Sequence, residues 1–371
     1  MPLRALARVN LAAIERNVSR LVSRLAPGAG LCAVVKGDGY GHGAARAAGA
    51  ALAGGARSLA VATADEAAEL REAGLEAPLL LMGAVSAQEL PVALSAGAEL
   101  VAWSERFVTD LAAAADGRVR VHVKLDTGMG RLGTRSRAAA LVVAERVAAS
   151  PALELAGAMT HFATADEDPE FLRAQLERFR PFAAELRRRP GVRAHAANSA
   201  ATLREPATHF DMVRCGIAIY GADPMHDDPA AWGLEPALEL TSYVAAVKRA
   251  LPGDSAGYGR RFIAERETWI ATLPIGYADG IRRALSGNCD VLIAGRRHPL
   301  AGTVSMDNIT VDLGPETTVQ EGEPATLIGA QGGVRQTAEE LARRIGTINY
   351  EVLCGISRRV PRAYHHDGQA G

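Results

Sequence analysis

The 371-residue sequence predicts an α/β protein in which a (β/α)8 TIM-like barrel is followed by a mostly β C-terminal domain. The first observation is that eight short apolar runs alternate with alanine-rich segments of helical spacing between residues 31 and 221. The second is that strand-like runs punctuated by Gly and Pro replace this alternation after about Trp232. Eight strand-then-helix units are typical of a closed parallel barrel, although an open doubly wound sheet gives a similar alternation.

The predicted barrel strands are the eight apolar runs Leu31 to Lys36, Ser58 to Thr63, Leu79 to Gly83, Glu99 to Trp103, Val119 to Asp126, Leu153 to Phe162, Val192 to Asn198 and Met212 to Gly221. Segments such as Ala64 to Ala73 and Ser136 to Ala149 have the spacing of the intervening helices.

Six further runs predict the strands of the C-terminal domain: Ala237 to Ala250, Thr268 to Pro274, Asp290 to Ala294, Leu300 to Val304, Ile309 to Leu313 and Glu351 to Val360. One helix interrupts them, because Thr337 followed three residues later by Glu340 is the signature of a capping box.

Composition excludes several classes of function. A formal net charge of -1 provides no basic field for nucleic acid or for anionic lipid. The N-terminus lacks the apolar core of a signal peptide and no later stretch approaches a membrane span, so we expect a cytoplasmic protein. The four cysteines lie far apart without a Cys-x-x-Cys pair, and neither a metal site nor a disulfide framework is expected.

Lysine is rare in this chain. Of 41 Lys plus Arg residues only Lys36, Lys124 and Lys248 are lysines, which indicates a background that favours arginine wherever arginine can serve. A guanidinium stays charged and cannot act as an amine that loses its proton and attacks carbon. The retained lysines are therefore candidates for chemistry, with chance retention as the alternative.

Lys36 leaves the first predicted strand directly into a glycine-rich turn, Gly37-Asp38-Gly39-Tyr40-Gly41-His42-Gly43. In a barrel this position lies at the C-terminal mouth, where active sites of this architecture are found. A lysine there forms a Schiff base once nearby positive charge or burial lowers its pKa. The alternative is an ordinary solvated turn residue.

The fifth strand predicts a charged inner face. Alternation along Val121 to Asp126 places His122, Lys124 and Asp126 on the same side, which is the barrel interior if the intervening residues face the helices. Inward charges need partners or a ligand. An internal ion pair between Lys124 and Asp126 is the structural alternative.

The last three predicted strands carry further polar residues. His161, His195 and Arg214 lie at or near their ends, and the loops after strands seven and eight are the usual phosphate cradle of a barrel. Ser199 and the backbone amides near Gly216 are therefore candidate phosphate donors. Ser199 as a helix N-cap and His161 as a satisfied core histidine are the alternatives.

Eight segments spread along the chain together resemble the alanine racemase family. They occur in family order and are the lysine turn, Lys124 to Gly133, Thr160 to Asp166, Asn198-Ser199-Ala200, Met212 to Ile217, Gly257-Tyr258-Gly259, Pro274 to Gly280 and Gly302 to Asp307. The resemblance implies residues 1–8 as a strand that joins the β domain, residues 9–232 as a barrel that binds pyridoxal 5'-phosphate (PLP), and residues 233–371 as the β domain.

The resemblance also implies an activity. L-alanine and D-alanine would be interconverted through a PLP aldimine and two-base proton transfer, which supplies D-alanine for peptidoglycan. Lys36 would form the aldimine and act as one base, and Tyr258 of the other subunit in a head-to-tail homodimer would act as the base on the opposite face. Two flanking groups are needed because a planar carbanion must be reprotonated from the side opposite to its deprotonation.

Each further role is carried over from a matching position. Arg214 would contact the pyridine nitrogen of PLP, and a permanently charged donor there limits side reactions. Other cofactor-binding residues would be Tyr40, His161, Asn198, Ser199, Gly216 and Ile217, and the substrate-binding residues would be Arg131, Met306 and Asp307. His195 and Tyr277 would support the site, with His161 and His195 in a hydrogen-bond network around Tyr258 and Arg214. Lys124 matches a position that is often carbamylated and then positions Arg131.

Two positions depart from the family pattern. Gly37 follows Lys36 where alanine is more common, and Arg358 stands where many members have a tyrosine that narrows the entrance. Arg358 leaves open a broader racemase that acts on serine as well as alanine. A non-enzymatic PLP carrier is the alternative from another class, but carriers resemble the barrel alone. A decarboxylase of the same two-domain type lacks its substrate motifs here.

Overall fold

The structure is a computed structural model that describes residues 3–370. These residues divide into two compact units, one of residues 14–39 and 43–219 and the other of residues 3–13, 40–42 and 220–370. No helix in residues 3–370 is both long and apolar enough to cross a membrane.

The first unit is a closed barrel, which confirms the predicted fold class. After β1 (Leu6–Asn10), which belongs to the other unit, eight parallel strands pair in chain order and the last pairs with the first. They are β2 (Gly30–Val34), β3 (Ser58–Val61), β4 (Leu79–Leu81), β5 (Glu99–Ala102), β6 (Val119–Lys124), β7 (Leu153–Met159), β8 (Arg193–His195) and β9 (Met212–Cys215).

Helices connect the strands, as the alanine-rich spacing predicts. They are α1 (Leu11–Ser23), α3 (Ala44–Ala53), α4 (Ala64–Glu72), α5 (Leu90–Ser95), α6 (Glu105–Ala114), α7 (Arg137–Ala149), α8 (Pro169–Leu186) and α9 (Ser199–Arg204). The segment α2 (Lys36–Tyr40), which follows β2, is a left-handed turn and not an α-helix. The capping box at Thr63 shows how sequence sets a helix start: its side chain accepts from the Glu66 amide while Glu66 accepts from the Thr63 amide.

The second unit is mostly β. An eight-stranded sheet runs in the order β16-β15-β18-β10-β1-β20-β21 with β19 on β18, beside a three-stranded sheet β11-β14-β17 and a pair β12-β13. Its strands are β10 (Leu238–Tyr243), β11 (Ala246–Ala250), β12 (Ser255–Ala256), β13 (Phe262–Ile263), β14 (Thr268–Leu273), β15 (Asp290–Ile293), β16 (Arg296–Pro299), β17 (Ile309–Gly314), β18 (Pro324–Gln331), β19 (Val334–Gln336), β20 (Arg362–His366) and β21 (Gln369–Ala370).

The N-terminal strand is an inner member of that sheet. β1 pairs antiparallel with β10 and parallel with β20. Its side chains alternate, and Ala7 and Val9 are fully buried, because successive residues of a strand point to opposite faces of the sheet.

Three strand predictions in the β domain are wrong or incomplete. Glu351 to Val360 begins as a helix, α11 (Asn349–Cys354), because the buried residues Asn349, Val352, Leu353 and Ile356 have helical and not alternating spacing. The domain thus has a second helix beside α10 (Ala338–Arg344), whose N-cap Thr337 accepts from the Glu340 amide. The predicted capping box is only half formed, because the Glu340 carboxylate binds Arg297 and Arg344.

The other two predictions concern a strand that does not form and a run that divides into two strands. Leu300 to Val304 forms no strand, because Gly302 has a φ of +80° and packs so tightly that a Cβ there would lie 2.4 Å from the Ala256 carbonyl oxygen. The run Ala237 to Ala250 divides into β10 and β11, which belong to different sheets.

Candidate active site

Lys36 follows the end of β2 by two residues, at the C-terminal end of a barrel strand. Residues 37–40 all have φ between +53° and +62°, so the chain makes a left-handed turn directly after the lysine. Glycine at positions 37 and 39 adopts this backbone without the steric cost that a Cβ brings. The turn is anchored at both ends, since the Gly37 amide donates to Glu66 Oε1 at 2.6 Å and Asp38 Oδ1 accepts from the Ala44 amide at 3.0 Å.

Lys124 ends β6 and is 3% exposed. Burial is the main reason why its pKa falls to about 8, and the positive charges of Arg214 and Arg131 lower it further. The charge of Lys36 acts in the same direction, whereas Asp126 opposes it. This amine is therefore partly neutral near physiological pH.

The ion pair between Lys124 and Asp126 does not form. Asp126 accepts hydrogen bonds from the amides of Gly128 and Gly130 at 3.0 Å, and Arg135 Nε lies 3.4 Å from its Oδ2. Within residues 3–370, no carboxylate lies within 4 Å of the Lys124 amine. The carboxylate shapes the glycine-rich loop that carries Arg131, and Lys124 keeps its amine without an anionic partner.

Arg214 is a buried guanidinium in β9 with four hydrogen-bond acceptors around its two Nη atoms. Nη1 donates to His195 Nδ1 at 2.7 Å, and Nη2 lies within 3.2 Å of the Thr160 and Ala196 carbonyl oxygens and of His161 Nδ1. Among residues 3–370 nothing accepts from Nε, so that donor remains available to a ligand.

Both histidines around Arg214 are neutral. Burial and then the Arg214 charge hold the pKa of His161 and that of His195 well below the usual histidine range. Because an arginine only donates, the Nδ1 atom of each ring must accept, which leaves the proton on Nε2. The His161 Nε2–H is therefore a donor directed away from Arg214.

Two residues of this network, His122 and Glu99, were absent from the candidate site predicted from the sequence. His195 Nε2 lies 2.7 Å from His122 Nδ1, and His122 Nε2 lies 2.6 Å from Glu99 Oε2. Strand alternation places His122 on the inner face, but nothing in the sequence distinguishes Glu99 from an ordinary residue at the start of a strand.

The segment after β8 and the segment after β9 meet at a serine. Ser199 Oγ accepts from the amides of Gly216 at 3.0 Å and Ala218 at 3.4 Å. Asn198, not Ser199, is the N-cap of α9, because its side chain accepts from the Ala201 amide at 3.0 Å. The Ser199 hydroxyl thus still has a proton to donate, beside the backbone at Gly216 and Ile217.

The remaining candidate residues belong to the second unit. Tyr40 is buried there, with its ring 5.1 Å from that of Tyr220 and 5.9 Å from that of Tyr350. In contrast, Tyr258, Met306 and Tyr277 are exposed to 74%, 52% and 42%. Asp307 and Arg358 are exposed as well.

Hydrogen bonds and ion pairs fix the backbone segments that carry these exposed side chains. The Tyr258 carbonyl accepts from Thr303 Oγ1 at 2.8 Å, and the Tyr277 amide donates to the Ser305 carbonyl at 2.9 Å. Near Tyr277, the buried Asp279 carboxylate accepts hydrogen bonds from both Nη atoms of Arg4, at 2.6 and 2.7 Å. Asp307 binds Arg359 at 2.6 Å.

Ten candidate residues lie in the barrel unit: Lys36, Lys124, Arg131, His161, His195, Asn198, Ser199, Arg214, Gly216 and Ile217. The other six, Tyr40, Tyr258, Tyr277, Met306, Asp307 and Arg358, lie in the β unit.

Comparison with known proteins gives one consistent result. Residues 9–224 match the model of the alanine racemase N-terminal domain and residues 237–364 that of its C-terminal domain. Alanine racemase 1 of Bacillus subtilis is 41% identical over 98% of this chain and 93% of its own length, and that of Thermobifida fusca is 42% identical over 96% and 97%.

Solved structures agree with the sequence relatives. Alanine racemase from a D-cycloserine-producing Streptomyces lavendulae superposes with a TM-score of 0.93 at 38% identity and covers 98% of each chain. Alanine racemase from Bacillus anthracis with bound L-Ala-P has a TM-score of 0.92 at 38% identity, covering 100% of this chain and 97% of that one. Both domain models and the near-complete coverage show that this chain belongs to the alanine racemase family.

Proposed function

We propose that this protein interconverts L-alanine and D-alanine, using pyridoxal 5'-phosphate, the cofactor of its family. The observation that carries the proposal is the buried Arg214 guanidinium, which is held by four acceptors and keeps its Nε donor for a ligand. When bound, pyridoxal phosphate draws electrons from the α-carbon of an amino acid and so makes the α-proton acidic.

The donor set of the barrel fits this cofactor. Lys36 would hold it covalently, and the Arg214 Nε–H would donate to its pyridine nitrogen. The Ser199 hydroxyl and the Ile217 amide suit a phosphate group, since hydroxyls and backbone N–H groups are the usual phosphate donors. The Gly216 amide donates to Ser199 Oγ at 3.0 Å and would hold that hydroxyl beside the phosphate. The family match adds Tyr40, Asn198 and His161 to this binding set.

Racemisation needs a proton acceptor on one face of the α-carbon and a proton donor on the other. Lys36 and Tyr258 are the two groups we assign to these roles. Tyr258 is 74% exposed, although a catalytic phenol works in a partly desolvated site. A second copy of the chain that covers Tyr258 would provide such a site, and we propose a homodimer in which Lys36 and the partner's Tyr258 share one active site.

Arg131 and the Met306 amide would bind the substrate carboxylate and the cofactor phenolate, with Asp307 and Tyr277 beside them. Met306 and Tyr277 are exposed in the single chain to 52% and 42%. Their exposure supports the same requirement for a second copy, because a site that holds a small amino acid must exclude water from it.

Lys124 is proposed to be carbamylated. Its amine has a pKa of about 8 and no carboxylate partner within residues 3–370. A neutral amine forms a bond from nitrogen to the carbon of carbon dioxide and releases one proton, which replaces the cation by an anion. That anion would pair with a nearby cation, and Arg131 is the one whose position it would fix.

A chiral chromatography assay of the purified, PLP-loaded protein tests the activity. We expect each alanine enantiomer to be converted until the two are equal, and L-alanine racemised in D2O to give D-alanine labelled at the α-carbon, because two bases exchange with solvent separately. Borohydride reduction followed by peptide mass mapping should place the pyridoxyl group on Lys36. Label on Lys124 or Lys248, or no conversion of alanine, would contradict the proposal.

The broader serine and alanine racemase is the second candidate, and the exposed Arg358 is the observation that favours it. The same assay with L-serine measures its share. The carrier alternative is disfavoured, because residues 237–364 match the C-terminal domain of the racemase family.

Supply of D-alanine for peptidoglycan and a cytoplasmic location are part of the proposal. Expression in a bacterium that requires D-alanine should restore growth without it, and cell fractionation should find the protein with cytoplasmic enzymes. Growth that still depends on added D-alanine, with the protein expressed and active in extracts, would contradict the biosynthetic role.

A further inference from the structure

The Arg214 guanidinium is a buried charge without an adjacent anion. It is 3% exposed, and within residues 3–370 no carboxylate lies within 4 Å of it. A buried cation normally needs a compensating charge, since the transfer of an ion out of water is costly. Its hydrogen bonds instead go to two carbonyls and two neutral imidazoles.

One of these imidazoles leads to a carboxylate. His195 and His122 are both fully buried, and the contacts continue from Arg214 through His195 and His122 to Glu99 at 2.7, 2.7 and 2.6 Å. Glu99 also accepts from Arg193 at 2.9 Å and lies 3.1 Å from Arg120 Nε. All these residues belong to the barrel unit.

The proton positions along this chain of contacts are fixed by its two ends. Arg214 only donates, so His195 Nδ1 accepts and its proton lies on Nε2. That proton is donated to His122 Nδ1, which leaves the His122 proton on Nε2, where it is donated to the Glu99 carboxylate. Every group therefore has one consistent role, and the imidazole dipoles all point the same way.

Charge and packing agree with this arrangement. Burial tends to raise the pKa of Glu99, but the His122 hydrogen bond and the charges of Arg193 and Arg120 outweigh it, so the group is an anion. Burial lowers the pKa of His122 despite Glu99, so the ring is neutral. Gly157 makes room for it, because a Cβ at that position would lie 2.0 Å from His122 Nδ1.

We propose that Glu99 is the counter-charge of Arg214 and acts on it through the oriented pair His122 and His195, which makes Glu99 and His122 positioning residues for the pyridine-nitrogen donor. The role assigned to Arg214 rests on the proposed function, whereas the proton arrangement does not. Hydrogen bonds in series polarise one another, and a carboxylate at one end strengthens the acceptor offered at the other.

Histidine 15N NMR tests the arrangement directly. The protein is labelled with 15N-histidine, the rings are assigned with single-histidine variants, and long-range 1H–15N spectra are recorded with and without PLP. We expect His195 and His122 to be neutral with the proton on Nε2 in both forms. A proton on Nδ1 of either ring would overturn the proposal.

Three variants separate the counter-charge from a merely structural role. Glu99→Gln keeps the shape and removes the charge, Arg120→Gln removes a Glu99 partner without touching the histidines, and Glu154→Gln removes a carboxylate of β7 that pairs with Arg118 at 3.8 Å. Only Glu99→Gln should move the ring resonances of both histidines and weaken the downfield signal of the His122 Nε2 proton. Equal movement in Arg120→Gln would show that Glu99 only ties strands together.

The PLP-loaded enzyme provides the functional readout. With 15N-labelled pyridine nitrogen in PLP, Glu99→Gln should shift that resonance and lower kcat for alanine roughly 10- to 100-fold, the range seen when outer partners of buried metal ligands are removed. An unchanged pyridine resonance in a racemase with shifted histidines would overturn the link to Arg214. A wild-type protein that does not racemise alanine would instead contradict the proposed function and leave the histidine result standing.

Discussion

The candidate residues of the barrel and those of the β unit differ in how deeply a single chain buries their side chains and how many partners it provides for them. Lys124, Ser199 and Arg214 are each 3% exposed, and the last two are held by partners from neighbouring strands and loops. Tyr258 and Met306 are more than half exposed, with only their backbone fixed. One chain thus orders the side chains proposed to bind the cofactor but leaves those proposed for the partner's site exposed to solvent, which is the arrangement that the proposed dimer requires.

The first prediction tests whether Lys36 and Tyr258 of one active site come from different chains. Lys36→Ala and Tyr258→Phe should each lower racemisation by about 10²- to 10⁴-fold, because each removes one of the two groups that we propose for proton transfer. Mixing the two inactive proteins under conditions of subunit exchange should restore activity. With random exchange of equal amounts about half the dimers are mixed and one of their two sites is normal, so recovery should approach roughly a quarter of the wild-type rate.

The controls for this mixing experiment are each variant exchanged with itself, which should stay inactive. Exchange is followed independently with two affinity tags, one for each variant. If tagged heterodimers form and the rate does not recover, Lys36 and Tyr258 do not come from different chains in one site.

The second prediction concerns the barrel alone. A lysine with a pKa of about 8 has roughly 300-fold more neutral amine at pH 7 than one with the ordinary lysine pKa of 10.5. Since the lowered pKa favours the neutral form, the carbamate of Lys124 should increase as the pH rises from 6.5 toward 8 at fixed dissolved carbon dioxide. Addition of 13C-labelled carbon dioxide and 13C NMR of the PLP-loaded protein measures it.

Lys248 is the internal control, because it is exposed on β11 and should give no comparable signal. The variant Lys124→Met should remove the carbamate resonance. A resonance that survives in Lys124→Met, or none in wild type across this pH range, would contradict carbamylation of Lys124.

Features of the fold could be predicted where the sequence pattern that specifies them is local. The barrel could be predicted, because its eight apolar runs are separated by segments of helical spacing. Seven of the eight observed strands lie within those runs, and β2 begins one residue earlier, at Gly30. Alternation likewise places His122 and Lys124 on the buried inner face of β6. The division of residues 237–250 between two sheets could not be predicted, because no Gly or Pro marks the break at Val244 and Ala245.

The hydrogen-bond partners of these side chains were harder to predict than the strand face on which each side chain lies. The sequence suggests an ion pair between Lys124 and Asp126, yet Asp126 binds the amides of its own loop. That loop folds back through left-handed glycines, and a Cβ at Gly133 would lie 2.9 Å from the Asp126 amide nitrogen. Glu99 meets His122 because β5 pairs with β6 in the register that sets Leu100 beside Val121, and neither strand's own sequence specifies that register.

The third prediction tests the steric cost of the left-handed turn that follows Lys36. Gly37→Ala places a Cβ at a φ of +62°, which should cost about 1–2 kcal/mol in the free energy of unfolding. Gly49→Ala is the matched control, because Gly49 lies inside α3 with no atom within 4 Å of a Cβ, and it should gain about 0.5–1 kcal/mol. Urea unfolding of both variants measures the difference, and equal stability would show that the left-handed turn carries no steric cost.

The last prediction concerns Arg358 of the β unit and the preference between serine and alanine as substrates. Arg358 is exposed and forms no hydrogen bond or ion pair with any residue from 3 to 370, so its replacement should leave the fold unchanged. A whole methylene or hydroxyl inside a pocket changes specificity by about 1–3 kcal/mol, and a side chain at the entrance should contribute less. We therefore expect Arg358→Tyr to lower the ratio of kcat/KM for serine to that for alanine by about 2- to 10-fold. Arg296→Tyr, an exposed arginine replaced on β16, is the control and should leave the ratio at its wild-type value. A ratio that moves equally in both variants, or in neither, would show that Arg358 does not set the preference between the two substrates.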